Sequence, residues 1–261
     1  MIPQLISEID QQQLAKIRAV KLIATDMDGT LTSQGKFSPL LLATLEKLAA
    51  QGNQVLIITG RSAGWVQGVL HYLPVVGAIA ENGGVFYPTS LDFPQVLQPL
   101  SEKTDIKTHR QSLEIAFQSL CQEFPRLQAS SDNLFRLTDW TFDVAGLGLS
   151  ELARLQALCA AQGWGFTYSN VQCHIKPQGL DKATGLQQVL AQYFPEIRAD
   201  QVLTLGDSMN DESLFNPRKL PLSVGVANIC HYLSDLEHQP RYLTQHPEVY
   251  GFAELADVVA N

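Results

Sequence analysis

Three short polar clusters in this sequence carry residue types that could bind a metal ion and take part in catalysis. They read DMDGT over residues 26–30, TGR over 59–61 and GDSMND over 206–211, and each follows an apolar run. Aspartates brought together in one crevice would repel one another unless a hard cation lay between them. Mg²⁺ takes oxygen ligands and commonly uses one or two carboxylates together with a substrate phosphate. The residue types therefore predict a magnesium site, to which a substrate phosphate could also bind.

The apolar run before each cluster has the length and composition of a buried β-strand. The runs read KLIAT, QVLII and QVLTL. Between the first two, Ser38 and Pro39 have the residue types that begin a helix, and Gly52 has the type that ends one. Strands that alternate with helices predict an α/β core with a doubly wound, mostly parallel sheet. Because ligands bind at the carboxyl edge of such a sheet, we expect the three clusters to converge there.

The middle of the chain follows a different pattern. Residues 87–177 combine longer helical stretches with strands of mixed polarity, which indicates an α+β cap domain inserted into the core. The predicted core then comprises residues 21–86 and 178–261. Residues 1–20 carry apolar side chains at helical spacing and predict an N-terminal helical extension.

The acidic composition argues against two classes of partner. The 261 residues carry a formal net charge of −8, which disfavours nucleic acid and membrane lipid as main partners. The four cysteines form no C-x-x-C pair, so neither a zinc ribbon nor a disulfide framework is expected. The first residues lack the basic and apolar regions of a signal peptide, and no apolar run approaches the length of a membrane span. We expect a cytoplasmic protein, and the sequence leaves its oligomeric state open.

The clusters resemble the motifs of the haloacid dehalogenase (HAD) superfamily of phosphatases. The DMDGT cluster matches the first motif, Thr59 the second, Lys182 the third and the GDSMND cluster the fourth. A cap inserted between the second and third motifs is similar to the large-cap subclass, which includes the Cof-like sugar phosphatases and sucrose-phosphate phosphatase. The resemblance covers residues 21 to about 255.

The resemblance implies a nucleophile, an acid/base group and a metal site. Asp26 would attack phosphorus to give an aspartyl-phosphate, and Asp28 would protonate the leaving oxygen and later deprotonate water. Mg²⁺ would be held by Asp26, the backbone carbonyl of Asp28 and Asp207. Asp211 would be a further ligand or would hold the metal ligands in position without binding the metal itself.

The resemblance also implies a set of phosphate-binding groups. Thr59, the backbone amide of Gly60 and Lys182 would bind the phosphoryl oxygens, and Asn210 would orient Lys182 or the phosphate. Lys182 would supply the local positive charge that an anionic substrate needs in an acidic protein. Two alternatives stay open: Lys176 could take this role, or Lys182 could be an ordinary surface lysine.

One cap strand alternates in polarity and could contact the substrate. Its polar positions are Asn170, Gln172, His174 and Lys176, and its apolar positions are Val171, Cys173 and Ile175. We expect the apolar face to pack on the cap helices and the polar face to line the roof of the site, where it would suit a polyhydroxylated substrate. A solvent-facing edge strand is the alternative. The segment Glu81-Asn82-Gly83-Gly84, at another strand end, either contacts the substrate through Asn82 or is only a turn. Arg61 is expected either on the substrate side or in a surface ion pair.

The expected function is hydrolysis of a small phosphorylated metabolite, with a sugar phosphate as the expected substrate. Two alternatives use the same aspartates. A phosphomutase would retain the phosphoryl group for a second transfer. A non-enzymatic phospho-aspartate switch would need a lasting acyl-phosphate, and both the Asp at position 28 and the large insert argue against it.

Overall fold

The computed structural model describes residues 3–90, 98–100, 105–169 and 171–260. The strands are β1 (Gln4–Leu5), β2 (Leu22–Thr25), β3 (Gln54–Ile58), β4 (Gly77–Ala80), β5 (Val85–Pro88), β6 (Gln98–Pro99), β7 (Trp140–Asp143), β8 (Trp164–Tyr168), β9 (Gln172–Pro177), β10 (Val202–Gly206), β11 (Leu222–Gly225) and β12 (Tyr242–Leu243). The α-helices are α1 (Gln11–Arg18), α2 (Pro39–Ala50), α3 (Ala63–Leu70), α4 (Ile106–Glu123), α5 (Leu149–Ala161), α6 (Lys182–Tyr193) and α7 (Glu248–Ala260). Short 3₁₀ helices span Ile6–Glu8, Ser131–Phe135, Ala199–Gln201, Met209–Phe215 and Ala227–His231.

A mostly parallel sheet forms the core of the described chain. Its strand order is β1-β12-β11-β10-β2-β3-β4-β5-β6, and only the β4–β5 and β5–β6 pairs are antiparallel. Strand β2 lies between β10 and β3, with Thr25 opposite Leu205 on one side and Ile57 on the other. The carboxyl ends of these three strands therefore lie side by side, and the predicted α/β fold class is confirmed.

Helices cover both faces of this sheet, because successive side chains of the buried strands point to opposite sides. On β2, Ile23 packs in a cluster with Leu45 of α2 and Phe252 of α7. Leu22 packs in the other cluster with Leu186 of α6. All of these side chains are buried, and each stabilises the fold by about 1.5–3 kcal/mol relative to an exposed position.

The cap is a separate three-stranded antiparallel sheet in the order β7-β9-β8. One face of its central strand β9 carries Cys173 and Ile175, which pack in a cluster with Phe117 of α4 and Leu155 of α5. The apolar face predicted from the alternation is therefore buried at Cys173 and Ile175. Strand β9 is the central strand of the cap sheet and not an edge strand. Val171, expected on the buried face, precedes β9 and is exposed. Strand β8 was not predicted from the sequence.

The structure differs from the prediction at the N-terminal segment. Residues Gln4–Leu5 form β1, which extends the core sheet beside β12, and a helical pattern predicted through this stretch begins only at α1. The helix begins there because the Asp10 side chain accepts from the Gln13 amide while the Gln13 side chain accepts from the Asp10 amide, a capping box.

The first boundary of the cap also lies elsewhere than predicted. The division between residues 86 and 87 falls inside β5, whose apolar run VFYP pairs with β4 along its whole length. Strand β6 continues the same sheet, so the chain stays with the core sheet through Pro99, and α4 is the first cap helix. None of the helices in the described ranges is long and apolar enough to cross a membrane.

Candidate active site

The three polar clusters meet at the carboxyl edge of the core sheet, as predicted. Asp26 follows β2, Thr59 follows β3 and Asp207 follows β10. They line a cavity of about 600 Å³ whose other walls come from the cap. The further lining residues are Asp28, Gly29, Thr32, Gly35, Gly60, Arg61, Ser208, Asn210, Asn228 and Glu248 from the core, and Ser131, Asp132, Ser169, Val171, Gln172 and His174 from the cap.

Lys182 joins two aspartates beneath this cavity. Its ammonium lies 2.5 Å from Asp26 Oδ1 and 2.6 Å from Asp211 Oδ1, and its side chain is fully buried. Burial acts to lower the pKa of Lys182, but the carboxylates of Asp211 and Asp26 outweigh it and the pKa lies above its usual value. Burial raises the pKa of Asp26 to about 7, although Lys182 acts to lower it. Lys182 is therefore a cation at the site and not a surface lysine.

A cluster of carboxylates beside Lys182 fits a metal ion. Oxygens of Asp26, Asp207 and Asp211 all lie within 4.8 Å of one another, and the three residues are buried. Burial and the neighbouring charges of Asp26 and Asp211 raise the pKa of Asp207. This is the repulsion that a hard divalent cation relieves, and oxygen donors are the ligands that Mg²⁺ prefers.

The carboxylates of this cluster are held in place by their neighbours. Asp207 Oδ1 accepts from Thr30 Oγ1 at 2.9 Å, and its Oδ2 accepts from Asn228 Nδ2 at 2.9 Å. A Cβ on Gly29 would lie 2.4 Å from Asp207 Oδ2, and Gly29 has a φ of +84°. The glycine of the DMDGT cluster is thus required both by its backbone conformation and by this close approach.

Asp211 supports the turn after β10 in addition to its contact with Lys182. Its Oδ2 accepts from the amides of Asp207 at 2.9 Å and Ser208 at 3.1 Å. A Cβ on Gly206 would lie 2.5 Å from the Asp211 side chain, so the spacing of the GDSMND cluster follows from this turn.

Asp28 lies on the cavity wall in a bidentate ion pair with Arg61. Arg61 Nε donates to Oδ2 at 2.8 Å and Nη2 donates to Oδ1 at 2.7 Å. The Arg61 guanidinium also lies 5.0 Å from the centre of the Trp65 ring. The surface ion pair considered for Arg61 thus exists, but its partner is the predicted acid/base residue. A two-pronged contact of this kind fixes the orientation of the carboxylate.

The loop after β3 packs closely against its surroundings. A Cβ on Gly60 would lie 3.2 Å from Asn82 Nδ2 and 3.5 Å from His174 Cε1. Asn82 has a φ of +53°, is buried, and its Nδ2 has no hydrogen-bond partner within the described ranges. It lies behind Gly60 and does not line the cavity. Asn210 accepts from Ser208 Oγ at 2.6 Å and lies 3.4 Å from Asn82 Oδ1, so it contacts these side chains and not Lys182.

The cap residues predicted for the roof separate into three groups. Gln172 and His174 line the cavity. Lys176 does not, because it lies at the far end of β9, where its buried ammonium donates to Leu180 O at 2.5 Å. It anchors the loop that leads to Lys182 and does not take that residue's place. Asn170 lies outside the described residues.

Several residues at the site were missed by the sequence analysis. They are Asp132, Arg136 and Asp139 in the cap, and Asn228 in the 3₁₀ helix Ala227–His231. One signal for the cap residues is visible in the sequence LFRLTDWTF, residues 134–142. An arginine and an aspartate three residues apart within an apolar stretch indicate buried charges that need each other as partners.

The molecule thus has an α/β core with a cap, and an aspartate at the end of a central strand lies beside a buried lysine and a carboxylate cluster. The model of the haloacid dehalogenase-like hydrolase family matches residues 23–138 and 148–231. The chain belongs to this family and is a phosphatase, which confirms the resemblance seen in the motifs.

Curated relatives agree with this assignment, and solved structures share the fold. A phosphoglycolate phosphatase of Nitrosopumilus maritimus is 30% identical over 80% of this chain and 84% of its own length. One of Staphylothermus marinus is 23% identical over 92% of this chain and 98% of its own. A protein of Thermoplasma acidophilum shares the fold with a TM-score of 0.72 at 19% identity, covering 92% of this chain and 99% of that one. The C-terminal domain of Candida albicans trehalose-6-phosphate phosphatase has a TM-score of 0.69 at 15% identity, covering 100% and 98%.

Proposed function

We propose that the protein is a magnesium-dependent phosphomonoesterase that acts on a small phosphorylated metabolite through an aspartyl-phosphate on Asp26. The observation that carries this proposal is the position of Asp26. It ends the central strand β2, lines the cavity and lies 2.5 Å from the buried ammonium of Lys182. A carboxylate held in this way at a cavity wall is oriented for attack on phosphorus, and the Lys182 ammonium beside it favours an anionic substrate.

The reaction proceeds in two displacements on phosphorus. In the first, an Asp26 oxygen bonds to phosphorus as the ester bond breaks, and the Asp28 carboxyl gives its proton to the leaving oxygen. In the second, the Asp28 carboxylate takes a proton from water, whose oxygen bonds to phosphorus as the Asp26–phosphorus bond breaks. Arg61 orients Asp28 through its bidentate contact.

Charge neutralisation is the other requirement of phosphoryl transfer. Lys182, Thr59 and the Gly60 amide bind the phosphoryl oxygens in this proposal, and Asn210 supports the same loop through Asn82. Asp26, Asp207 and Asp211 form the carboxylate cluster that would hold Mg²⁺, with the Asp28 carbonyl as a further donor. Bound there, Mg²⁺ would neutralise charge on the phosphoryl oxygens.

The substrate we propose is a sugar phosphate. The cavity of about 600 Å³ is of the size that encloses small metabolites, and the roof residues Gln172 and His174 suit hydroxyl groups. The phosphoglycolate phosphatases among the relatives make 2-phosphoglycolate the second candidate. Arg61, which lines the cavity, could bind the carboxylate of 2-phosphoglycolate once its ion pair with Asp28 is broken.

The experiment is release of inorganic phosphate from p-nitrophenyl phosphate with Mg²⁺, by the parent and by Asp26→Asn. Without its nucleophile the variant should lose at least about a thousandfold in kcat/KM, about 4 kcal/mol of transition-state stabilisation. Asp143→Asn makes the same change at an exposed cap position and serves as the control. Activity of Asp26→Asn within tenfold of the parent would contradict the mechanism. Isomerised product without phosphate release from a sugar phosphate would indicate the phosphomutase.

A further inference from the structure

The cap contains a buried arginine that the phosphoryl chemistry does not use. The Arg136 side chain is fully buried between two aspartates. Its Nη1 lies 2.9 Å from Asp139 Oδ1, and its Nη2 lies 2.7 Å from Asp132 Oδ2. A buried guanidinium is costly unless its donors are satisfied in a fixed arrangement, so these contacts fix both carboxylates in the cap.

The same guanidinium connects the roof of the cavity to the phosphate-binding loop. Arg136 Nη1 donates to the Gly60 carbonyl at 3.0 Å, and Nη2 donates to Gln172 Oε1 at 3.1 Å. Gln172 Nε2 in turn approaches Asp132 Oδ1 at 3.3 Å. Arg136 therefore sets the position of the roof side chains relative to the loop that meets the phosphoryl group.

His174 completes this network with an acceptor. Its Nδ1 lies 2.8 Å from Asp139 Oδ2, and the ring is buried at the cavity wall. Burial lowers the pKa of His174, against the opposing effect of Asp139, so the ring is uncharged near neutral pH. Nδ1 then carries the proton donated to Asp139, and Nε2 is the nitrogen that can accept from a ligand.

The roof is consequently rich in hydrogen-bond acceptors. Arg136 is paired with two carboxylates, Asp132 and Asp139. Further basic groups lie nearby, Arg61 close to Asp132 and Arg110 and Lys176 close to Asp139. Asp132 is the carboxylate of the pair that reaches the cavity, with 30% of its side chain exposed. Such a surface binds hydroxyl donors and repels a substrate carboxylate.

We propose that Asp132 is a specificity-determining residue that accepts hydrogen bonds from leaving-group hydroxyls, and that Arg136 is the residue that positions it. The enzyme then selects uncharged, hydroxylated leaving groups over the carboxylate of 2-phosphoglycolate. This inference rests on the proposed phosphatase function and narrows its substrate class.

The test compares glucose 6-phosphate, glycerol 3-phosphate and 2-phosphoglycolate, each as kcat/KM relative to p-nitrophenyl phosphate with Mg²⁺. Of the two hydroxylated esters, the one that the parent hydrolyses better should exceed 2-phosphoglycolate in relative kcat/KM by at least about tenfold. The reason is that a site built to hydrogen-bond hydroxyls rejects groups that lack them. Asp132→Asn should lower the ratio for that ester at least about tenfold and raise the ratio for 2-phosphoglycolate about threefold, since one repelling charge is removed. Asp143→Asn, at an exposed position that is not among the cavity-lining residues, should leave both ratios unchanged.

Opposite changes on the two substrates distinguish recognition from a folding defect, which would lower both. Arg136→Lys keeps the positive charge but loses the planar guanidinium that contacts both aspartates. It should raise KM for the hydroxylated ester more than it lowers kcat. If that variant does not fold, Asp132→Asn alone decides. A parent that prefers 2-phosphoglycolate, or ratios that move together in Asp132→Asn, would overturn the inference. A parent that hydrolyses no phosphomonoester would instead overturn the proposed function.

Discussion

At the scale of single residues, His174 is a buried titratable side chain with a defined partner. It is 3% exposed and lies against Asp139, and burial lowers its pKa despite that carboxylate. A histidine whose pKa is lower in the folded than in the unfolded protein binds fewer protons when folded. Its effect is absent above the unfolded value of about 6.5, and the folded state loses stability as pH falls below it.

We therefore expect His174→Gln to reduce the acid sensitivity of the fold. The free energy of unfolding should fall less between pH 7.5 and pH 5.5 in the variant than in the parent, because glutamine cannot take up the proton. Urea denaturation at the two pH values measures this difference. His71→Gln, the same substitution at an exposed position, serves as the control. Identical dependence in all three proteins would show that His174 does not titrate in this way.

The core residues of the site could be predicted because the pattern that identifies each of them lies within a few neighbouring positions of the sequence. Asp26, Thr59 and Asp207 each follow an apolar strand directly, and parallel strands carry such residues to one edge. Asp132 and Arg136 could not be assigned from sequence, because their role depends on how the cap sits over the core. Arg136 reaches Gly60, 76 positions away in the chain, and no spacing within the cap reveals that contact.

At the scale of secondary-structure elements, the cap and core are joined by a buried carboxylate after β4. Glu81 is fully buried, with a φ of +55°. It accepts from the amide of Ala63 at 2.9 Å in the core, and from the amide and hydroxyl of Thr138 at 2.6 and 2.7 Å in the cap. Burial raises the pKa of Glu81, while these hydrogen bonds oppose the change. The turn between β4 and β5 thus holds the cap in place.

Glu81→Gln should destabilise the fold, because an amide would place donors against the backbone donors that Glu81 accepts from. We expect a loss of about 2 kcal/mol or more in the free energy of unfolding, the cost of leaving buried partners of a charged acceptor unsatisfied. Urea denaturation at pH 7.5 measures it. Glu46→Gln, on the exposed side of α2, should stay within about 0.5 kcal/mol of the parent. Equal stability of the two variants would remove Glu81 from this role.

Element prediction failed where pairing, and not residue type, decided the structure. Gln4–Leu5 becomes β1 because β12 offers an unpaired edge, and its residue types alone fit the helical pattern assigned to it. The VFYP run reads as a strand, but only its antiparallel pairing with β4 assigns it to the core. The alternation of β9 was readable because it buries one face within the cap itself.

At the scale of the whole molecule, the chain carries a net charge of −8 and concentrates three buried carboxylates at one sheet edge. Asp26, Asp207 and Asp211 face a single buried ammonium, that of Lys182. In the absence of a metal this arrangement opposes folding, as the raised pKa values of Asp26 and Asp207 show. A cation that binds only the folded chain should therefore stabilise the entire fold.

Mg²⁺ should raise the melting temperature and be required for turnover. At a concentration one hundred times its Kd it adds about 2.7 kcal/mol, which corresponds to roughly 5–10 °C for a chain of this size. Differential scanning calorimetry in MgCl₂, against NaCl of equal ionic strength, measures the shift. Asp207→Asn should lose most of the Mg²⁺ increment, because one carboxylate of the cluster is gone, whereas Asp143→Asn should show the same increment as the parent. EDTA should abolish hydrolysis, Mg²⁺ should restore it, and Ca²⁺ should inhibit because its looser coordination does not reproduce the octahedral site. A parent that is fully active in EDTA and equally stable with and without Mg²⁺ would show that the carboxylate cluster is not a metal site.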